Sequence, residues 1–350
     1  MSRTRKISLL AMLLCLLAGG LALAQNPFGG GGPGGGFGGR RGGRGGGRRG
    51  GGFGGGFGGG FGGPGGPTYG PMVPLEGGGY VNQETVKTAR ETAGHSVDLP
   101  DWTNKPGFKN DTFTFARIAF TSVPAQGWLG WTNDYPDADL NLSYRLKQFT
   151  SIKVDPDARV LRLTDPDLPD YPFIWMSHPQ AMELSAPEAR DLRQYLLNGG
   201  SLMVDDFWGP YAWEHFAEQM NTVLPGRKWI ELTMDHPIFH GVFDLKGPMS
   251  RLQVPTIHMW ERAYGGYTQG SLQTDSSGEL ADPPNGYRGQ PMHVRAWLDD
   301  KNRIMIIAIH NSDTGDGMER EGENEEYFHL FSERRAYPLT INIIYYFMTH

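Results

Sequence analysis

The chain has 350 residues, a formal net charge of −6, 52 glycines, 25 prolines and one cysteine. That cysteine, Cys15, lies in the leading apolar segment, so a chain processed behind it has no disulfide, no thiol nucleophile and no thiolate metal ligand. From Gly77 on, 24 Lys+Arg stand against 37 Asp+Glu, a balance of −13, which argues against a nucleic-acid reader.

Residues 1–24 read as a secretory signal peptide: Arg3, Arg5 and Lys6, an apolar core from Ile7 to Leu17, and Ala22-Leu23-Ala24 before the cleavage site at Gln25. The core is short for a membrane span, so the expectation is an exported protein, periplasmic or extracellular, with no transmembrane segment after cleavage. Residues 25–77 form a Gly-rich arm carrying Phe28, Phe37, Phe53, Phe57, Phe61 and five arginines, too poor in apolar surface to offset ordering entropy. Its Arg-Gly-Gly units resemble those of RNA-binding proteins, but on an exported acidic chain a spacer, or an adhesive for anionic envelope polymers, is expected instead.

Residues 78–112 read as a linker and N-terminal extension, and 113–350 as the folded domain. FTFARIAF (Phe113 to Phe120) predicts a half-buried strand. A helix follows a polar, aromatic loop, with Asp137 or Asp139 as cap and Leu142, Leu146 and Phe149 on one face. RVLRL (159–163) and FIWMSH (173–178) predict strands, the second apolar throughout, as in a parallel sheet covered on both faces. LSAPEARDLRQYLLNGG predicts a helix with a Ser185/Glu188 capping box, a buried face at Ala189, Leu192 and Leu196, and a stop at Gly199. SLMVDD, KWIEL, MHVRAWL and RIMIIAIH predict further strands. Pro338 opens a C-terminal helix apolar nearly all round, which predicts burial.

Strand, helix, strand with short connections is the crossover unit of a parallel sheet, and ligands of such sheets sit at the carboxyl ends of the strands. Those ends carry Trp128, Trp131, Asn133, Asp134 and Tyr135; then Ser177 and His178; then Asp205, Asp206 and Trp208; then His310, Asn311, Asp313, Asp316 and Glu319. Three chemistries fit. Carboxylates and imidazoles could hold a divalent metal, Asp206 could act as a general base with His178 or His310, and aromatic faces beside carboxylates could bind a sugar. Against these stand plainer readings: one of Asp205 and Asp206 caps the next helix while the other pairs with an arginine, DTGDG forms an Asx turn rather than a calcium loop, and DHPIFHG, with Pro237 between His236 and His240, is a turn leading into a strand. Asn342 reads as core, and Arg334 and Arg335 as ion-pair formers or an anion site.

NDYPDADLNLSYRL, VLRLTDPDLPDYPFIWM, LLNGGSLMVDDFWG, DHPIFHGVFDL, HNSDTGDGMEREGENEEYF and SERRAYPLTINIIYYFMTH together resemble the bacterial family of domains of unknown function 4159, over about Phe113 to His350. The resemblance implies kinship with the class I glutamine-amidotransferase-like superfamily. The expected fold is therefore a flavodoxin-like, mostly parallel α/β sheet with helices on both faces. Where glutaminases of that superfamily carry a nucleophilic cysteine, this chain has Asp205 and Asp206, so thiol glutaminase chemistry is excluded.

The expected site therefore comprises Asp205, Asp206 and His310 as catalytic candidates, with Asp134, Tyr135, His178, Trp208, Asn311, Asp313 and Asp316 around a carbohydrate or cell-envelope ligand. The alternatives are a metal-assisted hydrolase using the same carboxylates and histidines, with a divalent cofactor, and a non-catalytic module of a surface assembly.

Overall fold

The computed structural model describes residues 71–98, 100–107, 111–122, 130–257, 260 and 291–350. The chain divides into two units, Met1–Gly66 and Pro67–His350, and every described residue belongs to the second. The signal segment, the arm up to residue 70, Trp128 and the stretch 261–290 lie outside the described residues.

The strands are β1 (Met72–Pro74), β2 (Tyr80–Asn82), β3 (Thr112–Phe113), β4 (Ala116–Ile118), β5 (Lys153–Val154), β6 (Arg159–Leu161), β7 (Phe173–Ser177), β8 (Ser201–Phe207), β9 (Trp229–Glu231), β10 (His293–Leu298) and β11 (Ile304–His310). Seven form the central sheet in the order β6-β4-β7-β8-β11-β10-β9; β1 pairs with β2 and β3 with β5 in two small sheets. Strands β6, β4, β7, β8 and β11 run parallel, whereas β10 is antiparallel to both its neighbours. The fold is thus mixed α/β with a large, mostly parallel sheet. Every residue of β7, β8 and β11 is buried, the apolar runs and the polar residues at their carboxyl ends alike, as in strands covered on both faces.

The expected strand over 113–120 is two short ones, because the chain changes partners midway. Phe113 accepts a hydrogen bond from the Asp155 amide beside β5, and Phe115 accepts one from the Arg159 amide at the start of β6. From β4 the chain passes to β6 on one side and returns to β7 on the other. That reversal makes the carboxyl ends of β4 and β7 the switch point, where open α/β sheets form their crevice.

The longer helices are α1 (Asp137–Phe149), α2 (Ala186–Leu197), α3 (Gly209–Val223), α4 (Thr314–Glu319) and α5 (Tyr337–Thr349). Helix α1 packs against α4 and α5, and α2 against α3. Helix α2 has the expected capping box, with reciprocal Ser185 and Glu188 bonds, and Gly199 beyond its end has φ +113°. Two expectations about caps fail. Pro136 stands at the N-cap of α1, because Asp137 instead accepts the amides of His95 and Ser96 and Asp139 pairs with Arg117. Trp208 stands at the N-cap of α3 without a side-chain cap, so neither Asp205 nor Asp206 serves there.

The C-terminal helix is preceded by a π-helix, Phe328–Ala336, and is buried only to Ile344; Tyr345 and Met348 are exposed. Its Asn342 bonds the Phe243 amide and carbonyl, both at 2.8 Å, which confirms a structural role. Arg335 donates to the Gln253 carbonyl at 2.7 Å and covers the Phe331 ring. His236 accepts from the Ile238 amide and His240 contacts Asp244 and the Met234 carbonyl, so DHPIFHG is a tight 3-10 turn over Pro237–His240, but the strand expected after it does not form. Among the described residues no helix is long and apolar enough to cross a membrane.

Candidate functional site

Four neighbouring strands end on the rim that begins at the switch point, and each contributes one non-glycine residue with left-handed backbone: Asp134 after β4, His178 after β7, Asp206 in β8 and Asn311 after β11, with φ of 60°, 59°, 54° and 60°. At Asp206 the register of β8 against β11 slips, Ala308 facing Val204 but His310 facing Phe207. The extra residue is a β-bulge, a device that re-aims side chains at a strand's end.

The two adjacent aspartates consequently have different fates. Asp205 is fully buried and saturated: its Oδ1 accepts from Trp175 Nε1 at 2.7 Å, and its Oδ2 accepts from the Gly315 amide at 2.9 Å and from the Thr314 hydroxyl. Burial raises its carboxyl to about 6 against the pull of these donors. It ties β7 and β8 to the start of α4 and is a positioning residue, which corrects its place among the catalytic candidates. Asp206 accepts from Asn133 Nδ2 at 2.7 Å and from Trp208 Nε1 at 3.0 Å, and both donors are partly exposed. Asp313 is near enough that the charges of the two carboxyls bear on each other.

Around this pair lies a cluster of acids. Asp134 is wholly buried and spans the crevice, its Oδ2 accepting from Ser177 Oγ at 2.7 Å. Carboxylate oxygens of Asp134, Asp313 and Asp316 lie within 4.8 Å of one another, and so do those of Glu76, Asp134 and Glu319. Burial first, then the neighbouring negative charges, pushes the carboxyls of Asp134, Asp206 and Asp313 well above their ordinary range; Glu319 rises to about 8, mainly by burial. Arg320 supplies positive charge on one side, pairing with Glu76, with Glu319 at 2.8 Å and with Asp316 at 3.4 Å. His95 Nε2 adds a contact with Glu319 at 2.6 Å, and its hydrogen bonds to Glu319 and Glu323 raise it to about 10.

His310 does not join this cluster. Its Nε2 bonds the Gly209 carbonyl at 2.9 Å and so carries the proton, leaving Nδ1 to accept from Arg295 Nη1 at 3.2 Å. Burial lowers it to about 3. With both nitrogens committed and its ring against Phe207 and Trp213, it is a structural histidine and not the expected base partner. Asn311 is equally committed, accepting from the Gly209 amide and donating to the Pro291 carbonyl, both at 2.8 Å. Tyr135 is core: its ring meets Trp131 and its hydroxyl donates to the Thr88 carbonyl. His178 is 2% exposed and lowered to about 4 by burial, which keeps its imidazole neutral.

A cavity of about 460 Å³ lies at the amino ends of β7 and β8, lined by Pro172, Tyr195 and Gly200 among others, and holds none of these residues. The expected residues that do converge are Asp134, Asp206, Trp208, Asp313 and Asp316. Glu76, His95 and Arg320 were missed. Glu76 and His95 lie in a segment without periodic pattern, and nothing in their spacing announces contact with Glu319.

Close approach at the cluster depends on Gly315, where an added Cβ would stand 2.1 Å from Asp134 Oδ2. Gly315→Ala is expected to displace Asp134 and cost about 1–3 kcal/mol by overpacking, measured by denaturant unfolding. An unchanged midpoint would show that the contact is not tight.

Comparison with curated proteins finds no match. The model of the family described as "Domain of unknown function (DUF4159)" matches residues 114–348, which include the sheet, α1 to α4, Asp134, both adjacent aspartates and the α4 acids. Well over half of the chain is matched, and the chain therefore belongs to the DUF4159 family.

Proposed function

We propose that this is an exported domain, periplasmic or extracellular, that binds a polar ligand of carbohydrate or cell-envelope origin at the carboxyl rim of the sheet. The observation that carries this reading is the trio Asn133, Asp206 and Trp208: a carboxylate whose two oxygens are held by an amide and an indole, each partly exposed. A part-exposed indole beside oriented polar groups offers a sugar ring an apolar face and directional bonds together. The strand order, reversing between β4 and β7, supports a flavodoxin-like fold of the amidotransferase-like kind, without thiol chemistry. The Gly-rich arm would then serve as spacer or tether to anionic envelope polymers.

Calorimetric titration with neutral disaccharides and soluble peptidoglycan glycan fragments tests the reading. Binding that Trp208→Ala weakens roughly tenfold or more is the expected result. No heat from the wild-type chain overturns it and favours a non-catalytic interaction module. A metal-assisted hydrolase is the second reading, favoured by the buried carboxylates behind the trio.

A further inference from the structure

We propose that Asp134, Asp313 and Asp316 form a binding site for a hard divalent cation of the Mg²⁺, Ca²⁺ or Mn²⁺ class. This places the metal that one of the three sequence readings allowed away from Asp205 and the histidines. It supplies the ion that the metal-assisted hydrolase reading needs but does not depend on whether the rim binds a sugar, and its test reads ion binding rather than turnover, so its failure is distinguishable from a failure of sugar binding.

Geometry comes first. One carboxylate oxygen from each of the three residues lies within 4.8 Å of the other two, and all three residues are buried. Oxygens of that mutual spacing can surround one ion at the roughly 2.1–2.6 Å distances such cations take. An all-oxygen donor set without sulfur or imidazole selects this class over Zn²⁺ or Cu²⁺.

An orphan atom is the second, independent observation. Asp134 Oδ1 is buried and has no hydrogen-bond partner, although its sister oxygen accepts from Ser177. A buried acceptor left unmet costs on the order of 1–3 kcal/mol, more when charged, and such an exception calls for a ligand. The carboxylates are also held in place as ligands are: Asp313 Oδ1 accepts from the Asp316 amide at 2.8 Å and Asp316 Oδ2 from the Ile257 amide at 2.6 Å. Donors on the outer oxygens are the usual means of fixing a ligand's orientation.

Charge chooses between the two acid groups that share Asp134. In the group with Glu76 and Glu319, Arg320 and His95 already supply positive charge. Arg320 also reaches Asp316 at 3.4 Å, but among the described residues no Lys, Arg or His forms an ion pair with Asp134 or Asp313; two carboxylates of this group, against Asp134 alone in the other, are thus left for a cation to complete.

The experiment uses the full chain after exhaustive EDTA treatment, titrated calorimetrically with MgCl₂, CaCl₂ and MnCl₂ at constant ionic strength, with KCl as control. The expected result is one ion per chain and a higher melting temperature with at least one of the three salts. Asp134→Asn and Asp313→Asn are expected to weaken binding roughly tenfold or more while melting, without ion, no lower than the wild type, because each removes a buried like charge. Glu323→Gln, beyond the group, should bind as the wild type does. No saturable binding by the wild-type chain overturns the site, and so does full affinity in both asparagine variants. Should either variant fail to fold, the Mn²⁺ spin-resonance spectrum of the wild-type chain decides: a bound-ion signal supports the site, and free aqueous Mn²⁺ alone overturns it.

Discussion

Arg117→Met is expected to lower the stability of the domain by about 3–5 kcal/mol, and its melting temperature by roughly 6–20 °C. Arg117 sits on β4, fully buried, and bonds Asp139 through Nε at 2.9 Å and through Nη2. The same guanidinium donates to the carbonyls of Trp131 and Asn133 at 3.0 and 2.7 Å and lies 4.3 Å from the Trp175 ring centroid. Methionine would fill the volume but leave Asp139 charged, buried and alone, with two carbonyls unmet. Asp139→Leu added to Arg117→Met should restore much of the loss, because removing both charges removes the unpaired one. Thermal unfolding of the single and double variants checks this. A single variant melting within a degree or two of wild type would show that the pair contributes nothing.

The second large effect separates the adjacent aspartates. Asp205→Ala is expected to cost about 2–5 kcal/mol, since it strands the Trp175 indole, the Thr314 hydroxyl and the Gly315 amide in the interior. Asp206→Gly, which suits the left-handed backbone there, is expected to cost less than about 1 kcal/mol. Its two donors, Asn133 and Trp208, reach solvent and can take water, and its removal relieves the crowding of like charges around it. Denaturant titration of both variants measures the difference. Equal losses would overturn the division between a residue that positions and one that faces the crevice.

That division marks where sequence reasoning stops. The runs FIWMS and IMIIAIH and the Ser185/Glu188 box announce their strands and helix, because burial on two faces and a capped first turn leave local signatures. The convergence of Asp134, Asp206 and Asp313 follows from strand order once those strands are known. What the sequence does not disclose is rotation. Whether Asp205 or Asp206 faces inward depends on one extra residue in the β8 register, and His310 turns to Arg295 because β10 runs antiparallel beside β11. One signal was available: a lone arginine within FTFARIAF must find a buried partner, and Arg117 finds Asp139.

Asp134, His178, Asp206 and Asn311 each hold a backbone conformation that glycine would adopt with less strain. Three are Asp or Asn, the side chains that tolerate it best; the fourth, histidine, is also enriched there. Four glycines at these corners would make a calmer sheet edge and a chemically blank one. The rim is thus a place where backbone ease has been given up to keep particular side chains, and its wear under random substitution should be asymmetric: changes that ease the fold at these corners are the ones that erase its carboxylate, amide and imidazole groups.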